Sequence, residues 1–163
     1  GPLAEPHDIG CTARVVRVEN LDGGRMNILA LGEQRFRIHE LDRELEYLRG
    51  EVEYRPVSAE DSGVLERAGL GLQPWVMRYL QVLHDADLIS NELNTLPADP
   101  IELANMGAFL LQVPPEQKQI LLAAEDGVQF VKATCRVFRR EVTLLDNFLL
   151  DDEPLRERTA ALN

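Results

Sequence analysis

Side chains able to carry out proton transfer or covalent chemistry are few in this sequence, and their spacing does not bring them together. There are only two lysines, Lys118 and Lys132. A Ser–Lys dyad, with the amine as base toward the hydroxyl, would need Ser58, Ser62 or Ser90 beside one of them. Both lysines fall in stretches of helical periodicity, where a solvated face is their ordinary place. A phosphate-binding loop needs glycine-rich backbone amides followed by Gly-Lys-Ser or Gly-Lys-Thr. Ala68-Gly69-Leu70-Gly71-Leu72 has the glycines, but it lacks the lysine and follows no strand. It reads as a flexible approach to a helix. No Gly-x-Ser-x-Gly elbow and no His-Glu-x-x-His zinc motif occurs. His7, His39 and His84 are scattered, and Cys11 and Cys135 form no Cys-x-x-Cys pair, so no metal site is expected. The two thiols read as buried and reduced. Carboxylate pairs such as Glu44 and Glu46 are what an acidic surface produces by chance. The expectation is a chain with no catalytic, cofactor-binding or metal-binding residue, and so not an enzyme.

Composition narrows the partners. The net charge is −11, with 28% charged and 45% hydrophobic residues among 163. That suits a soluble domain with a real core. Nucleic-acid affinity comes from neutralised phosphates, which this charge repels. Arg14, Arg17, Arg35 and Arg37 could align across two strands, but Glu19, Glu33 and Glu40 interleave with them. No apolar run approaches the roughly 20 residues that span a bilayer, and no secretory signal is visible. A cytoplasmic protein, binding neither nucleic acid nor membrane, is the default reading.

The elements that would hold these side chains come in two blocks. Residues 1–57 read as a β lobe. Cys11 to Glu19 alternates like a strand, Asn20 to Gly24 is a turn, and Arg25 to Leu31 returns as a second strand. Gly32-Glu33 reads as a break before a third strand, Gln34 to Glu40, with Phe36 and Ile38 on one side. A fourth, Glu51 to Val57, ends near Pro56. The hairpin links predict an antiparallel meander. Residues 58–72 read as a linker.

From 73 to 150 the period changes to helical. Pro74 fits the first turn of a helix whose face is Trp75, Val76, Tyr79, Leu80 and Leu83. Asp99 should cap a second helix that begins at Pro100 and buries Ile101, Leu103, Ala104, Phe109 and Leu110 or Leu111. Pro114-Pro115 starts a short third helix carrying Ile120 and Leu121, and Asp126 caps the last. There Val128, Val131, Cys135, Phe138, Val142, Leu145 and Leu149 step by 3 and 4. That heptad seam fits either packing within the chain's own bundle or a homodimer. The wide apolar face that Val137, Leu144 and Phe148 add favours the bundle. Asp151-Asp152-Glu153-Pro154 should stop the helix, leaving 151–163 as a tail.

Several stretches, in order, resemble the Lon amino-terminal, substrate-binding domain family. Ile9-Gly10-Cys11-Thr12-Ala13-Arg14-Val15 resembles its Ile-Gly-Thr-x-Ala-x-Ile strand, and Leu21-Asp22-Gly23-Gly24-Arg25 the hairpin after it. Gly32-Glu33-Gln34-Arg35-Phe36-Arg37-Ile38 is similar to Gly-x-x-Arg-Phe-x-Ile, the most specific piece. Tyr47-Leu48 before Glu51-Val52, Asp99-Pro100-Ile101-Glu102-Leu103-Ala104 and Lys118-Gln119-Ile120-Leu121-Leu122 extend the match through the helical part. The resemblance implies an α+β fold: an antiparallel, pseudouridine-synthase-and-archaeosine-transglycosylase-like β lobe, then a helical bundle with a long last helix. It also implies further strands ahead of Ile9 and ATPase and peptidase parts elsewhere, so the β lobe should be short of strands, with an open edge. Gly10, Gly32, Arg35 and Phe36 match positions that look architectural.

The function implied is non-catalytic: binding unfolded or tagged protein substrates in a proteolytic quality-control system, without a cofactor. Burial of client side chains in an apolar groove between the lobes, near Tyr47, Leu48, Tyr54, Leu70 and Leu72, would provide it, with strand addition as a second mode. A structural or oligomerisation domain using the last helix is the alternative, and an RNA-binding module the weaker one.

Overall fold

In the computed structural model, the chain divides into two compact units, Gly1–Ser58 and Ala59–Asn163. The structure describes residues 3–58, 61–86, 88–89 and 95–160, and the backbone alone for 148–160. Ser90 and the side chains of Phe148 and Leu149 lie outside that description.

The first unit is one antiparallel sheet of order β1-β2-β3, with β1 Ile9–Asn20, β2 Met26–Asp42 and β3 Arg49–Tyr54. A 3-10 turn over Asp22–Gly24 joins the first two strands. Gly23 and Gly24 have φ of 76° and 74°, a region L side chains avoid, and Leu21 N–H closes the turn on Arg25 O at 2.9 Å.

The expected break at Gly32-Glu33 is not an end. The second and third predicted strands are one, because the ladder absorbs the irregularity as a β-bulge. Cys11 pairs with Arg35 and Ala13 with Gly32, so Glu33 and Gln34 together face Thr12. The Thr12 hydroxyl accepts from Gln34 N–H at 3.0 Å and donates to Gln34 O at 3.3 Å, which satisfies the backbone where the ladder opens. A second bulge leaves Val16 as the extra residue of β1, and a third leaves His39 as the extra residue of β2.

The second unit is helical, with α1 Ser62–Asp85, α2 Pro100–Leu110, α3 Pro115–Leu122 and α4 Gly127–Ala160. The expected caps form. Asp99 accepts from Ile101 and Glu102 N–H at 2.9 and 2.8 Å, and Asp126 accepts from Gln129 N–H at 2.8 Å. α4 packs along α1 and α2 with Val131, Phe138 and Val142 buried, so the seam is used inside the chain's own bundle. Tyr79 meets Phe138 edge-on, with centroids 5.2 Å apart, while its hydroxyl accepts from Gln112 N–H at 3.1 Å. Buried Thr134 donates to Phe130 O at 2.9 Å.

Several expectations change here. α1 begins at Ser62, with Asp61 as its cap, so Ala68–Leu72 is helix and Pro74 lies in the helix interior. The proline costs one helix bond, to the carbonyl of Leu70, and neighbouring turns and packing carry the helix through. α4 likewise runs past Asp151–Pro154, whose successors Leu155, Arg156 and Glu157 favour helix. Phe109 is 80% exposed and Ile120 67%, whereas Leu111 is buried. The α2 face is Leu103, Ala104 and Gly107, at helical spacing, and Phe109 lies well round from it.

Gly69 is not a flexible link. A Cβ there would lie 2.8 Å from two ring atoms of Pro100, so the missing side chain lets α1 and α2 approach. Gly69→Ala should lower stability by about 1–2 kcal/mol, overpacking outweighing the gain in helix propensity. Urea unfolding checks this, and a stabilised variant would mean the two helices can separate at no cost.

Candidate functional site

The hairpin of β1 and β2 presents a stripe of apolar side chains that are about half exposed. Paired residues point to the same face of a sheet. Val15 pairs with Ala30, Val18 with Ile28 and Asn20 with Met26. Strict alternation would put Val15 and Val18 on opposite faces, but the extra residue Val16 restores them to one. Val15, Val18, Met26 and Ile28 are each between 49% and 57% exposed. On the other face Arg14 and Arg17 sit opposite Leu31 and Leu29, and Arg14 pairs with Glu33 at 2.6 Å. Such an arrangement offers contact area. Among the described residues the outer edges of β1 and β3 are unpaired, so each could accept another strand.

The signature residues hold the base of this sheet. Gly10 pairs with Phe36, and a Cβ on Gly10 would lie 2.5 Å from the ring tip, so the phenyl ring occupies the space over the glycine. Phe36 and Ile38, each half-buried, line up with Tyr54 and Val52 of β3. Arg35 ties down the end of β3: its Nε donates to Arg55 O at 2.9 Å, and its carbonyl accepts from Arg55 N–H at 2.8 Å. Burial first, then Arg55 and Arg37, holds the Arg35 guanidinium below its usual range. Gly32 sits opposite Ala13, next to the bulge.

The five residues expected to bind protein divide between the units. Tyr47 and Tyr54 are exposed and Leu48 is half-buried in the first unit. Tyr47 is in the β2–β3 loop, which an Asp42–Arg49 ion pair closes. The Asp42 carboxyl is held below the usual range by Glu44 N–H first and then by Arg49. In the second unit Leu70 is exposed and lines an apolar cleft of about 390 Å³ with Leu96, Pro97 and Pro100. Leu72 is fully buried in the bundle core and cannot contact a partner, a correction that follows from its place inside α1. The sequence reading missed the stripe around Val18 and Ile28. The signals available for it are the high apolar content of both strands and the alternation that puts Met26, Ile28 and Ala30 on one face.

Among the described residues, the side chains suited to chemistry by type are occupied or apart. The Lys118 ammonium donates to Phe109 O at 3.3 Å. No serine is hydrogen-bonded to a lysine among the described residues, and no cluster of three His, Cys, Asp or Glu there could hold a metal. Cys11 is exposed, contrary to expectation, and lies on the face of the sheet that carries Ala13 and Val15. Cys135 is half-buried, and burial pushes its thiol up against the pull of Arg139 and Arg136. No helix among the described residues is long and apolar enough to cross a membrane.

A family model described as the ATP-dependent protease La (LON) substrate-binding domain matches residues 2–135. A Lon protease 2 of Myxococcus xanthus is 24% identical over 147 residues, covering 88% of this chain and 18% of that protein. A Lon protease of Methylocella silvestris is 30% identical over 122 residues, covering 74% of this chain and 15% of that protein. The chain thus spans under a fifth of the length of these relatives. Among solved structures, the N-terminal domain of Mycobacterium avium complex Lon protease superposes with a TM-score of 0.63 at 23% identity, covering 83% of this chain and 70% of that one. That likeness bears on the fold, which is α+β in both.

Proposed function

The chain belongs to the Lon substrate-binding domain family, and on that premise we propose that it captures unfolded or tagged client proteins without itself doing chemistry. The observation that carries this reading is the half-exposed stripe of Val15, Val18, Met26 and Ile28. Apolar side chains held on a rigid sheet give an unfolded segment somewhere to bury its own, at roughly 25 cal/mol per Å² removed from water. Among the described residues the outer edges of β1 and β3 are unpaired, and a client strand added at either would gain main-chain hydrogen bonds that do not read its sequence. In a longer Lon-type protein, the captured segment would pass to ATPase and peptidase parts.

The oligomerisation reading has less support, because the seam it relies on is spent on packing against α1 and α2. RNA binding is weaker still, since Arg14 and Arg55 are paired with Glu33 and Glu53 on an acidic chain. The test is pull-down and fluorescence titration with unfolded casein beside a folded control. Micromolar binding of the unfolded chain alone is expected. No binding at high micromolar concentration, or equal binding of the folded control, would remove this reading.

A further inference from the structure

We propose that the groove between α3 and α4 is a second peptide site, selective for an apolar side chain flanked by carboxylates. It rests on the reading that the chain binds protein segments, and it names a class of segment. The groove has a volume of about 660 Å³. Its apolar lining is Ile120, 67% exposed, with Ala123, Ala124 and Ala133. Alanines leave room for an incoming side chain that larger residues would fill. Ile120 sits beside Leu121, which is buried, so the short α3 helix seats itself with one residue and presents the next.

Charge selects the occupant. Lys132 and Arg136 lie one turn apart on α4 and line the same groove. Neither makes a hydrogen bond or ion pair with any described residue. Elsewhere on this chain of net charge −11, Arg14, Arg78 and Arg140 are paired with Glu33, Asp146 and Glu141. Two uncommitted cations beside an apolar floor fit a segment that brings its own acids. Glu125 on the rim opposes a second acidic neighbour there, which places the favoured carboxylates toward α4. A nucleic acid is disfavoured, because two cations neutralise few phosphates against the charge of the whole chain.

The experiment uses a short fluorescein-labelled peptide with a Leu-Phe centre flanked by Asp and Glu, its twin flanked by Lys, and unfolded casein. Anisotropy titrations are run on the full chain and on the Lys132→Glu/Arg136→Glu variant, both checked for folding by circular dichroism. The acidic peptide should bind the native chain more tightly than its twin. It should weaken about tenfold on the variant and also weaken with added salt, as exposed ion pairs are lost and repulsions gained. Equal binding of both peptides, or no change on charge reversal, overturns the proposal, while casein binding shows whether the broader reading survives. Displacement of the peptide by single-stranded oligonucleotide would also overturn it. If the acidic peptide binds as described and casein does not, the groove stands and general capture of unfolded chains falls.

Discussion

Replacing Phe138 with alanine is expected to lower the unfolding free energy of the helical unit by about 3–5 kcal/mol. The side chain has no solvent exposure, and three helices converge on it. Its ring meets Tyr79 of α1 edge-on and passes over Gly107 of α2, where a Cβ would lie 2.8 Å from Cε2. Removing it leaves a cavity between rigid elements that cannot collapse without moving α2. Gly107→Ala attacks the same contact from the other side by overpacking, at about 1–3 kcal/mol. Combined, the two changes should cost less than their sum, because the new methyl enters the space the ring leaves. Denaturant unfolding at unchanged slope measures all three. A loss below about 1 kcal/mol for Phe138→Ala would mean that the last helix does not hold this core together.

Capture of unfolded casein should fall at least tenfold in the Val18→Lys/Ile28→Glu double variant. Each replacement removes an apolar contact of about 1 kcal/mol at half exposure, and two together reach that factor. Lys and Glu are chosen because the two positions are cross-strand partners, so the new charges attract and the hairpin keeps its pairing. Both side chains are about half exposed, so no buried contact is lost. Titration with labelled casein, with circular dichroism alongside, provides the check. Unchanged affinity in a folded variant would take the stripe out of the function.

What could be read from the sequence was local. Asp99 before Pro100 and Asp126 before the longest apolar series announced helix starts, because a cap needs only its own next few residues. The strand content of the first unit was legible for the same reason, and the order of short motifs gave the family. The bulges were not legible. Whether Val16, or one of Glu33 and Gln34, is an extra residue depends on how many residues the facing strand supplies, which alternation along one strand cannot show. Phe109 misled because hydropathy marks it as core, while the position at the interface is Gly107, which carries no apolar signal. Intrinsic preference alone marks Pro74 and Gly69 as boundaries. Packing of α1 against α2 and α4 overrides both. The candidate stripe is therefore half visible: alternation alone puts Met26 and Ile28 on one face, whereas Val15 and Val18 share a face only through the bulge at Val16.

The extra residue in β1 gives that strand a tolerance to change in length. A chain lacking Val16 would close the bulge and keep Val15 and Val18 on the side they now share, since the ladder on either side already runs as though that residue were not counted. Removing Ala13 instead would turn over the side chains between the cut and the bulge, Val15 of the stripe among them. Single-residue gaps among related sequences should accordingly gather at this one point of the strand and avoid its neighbours.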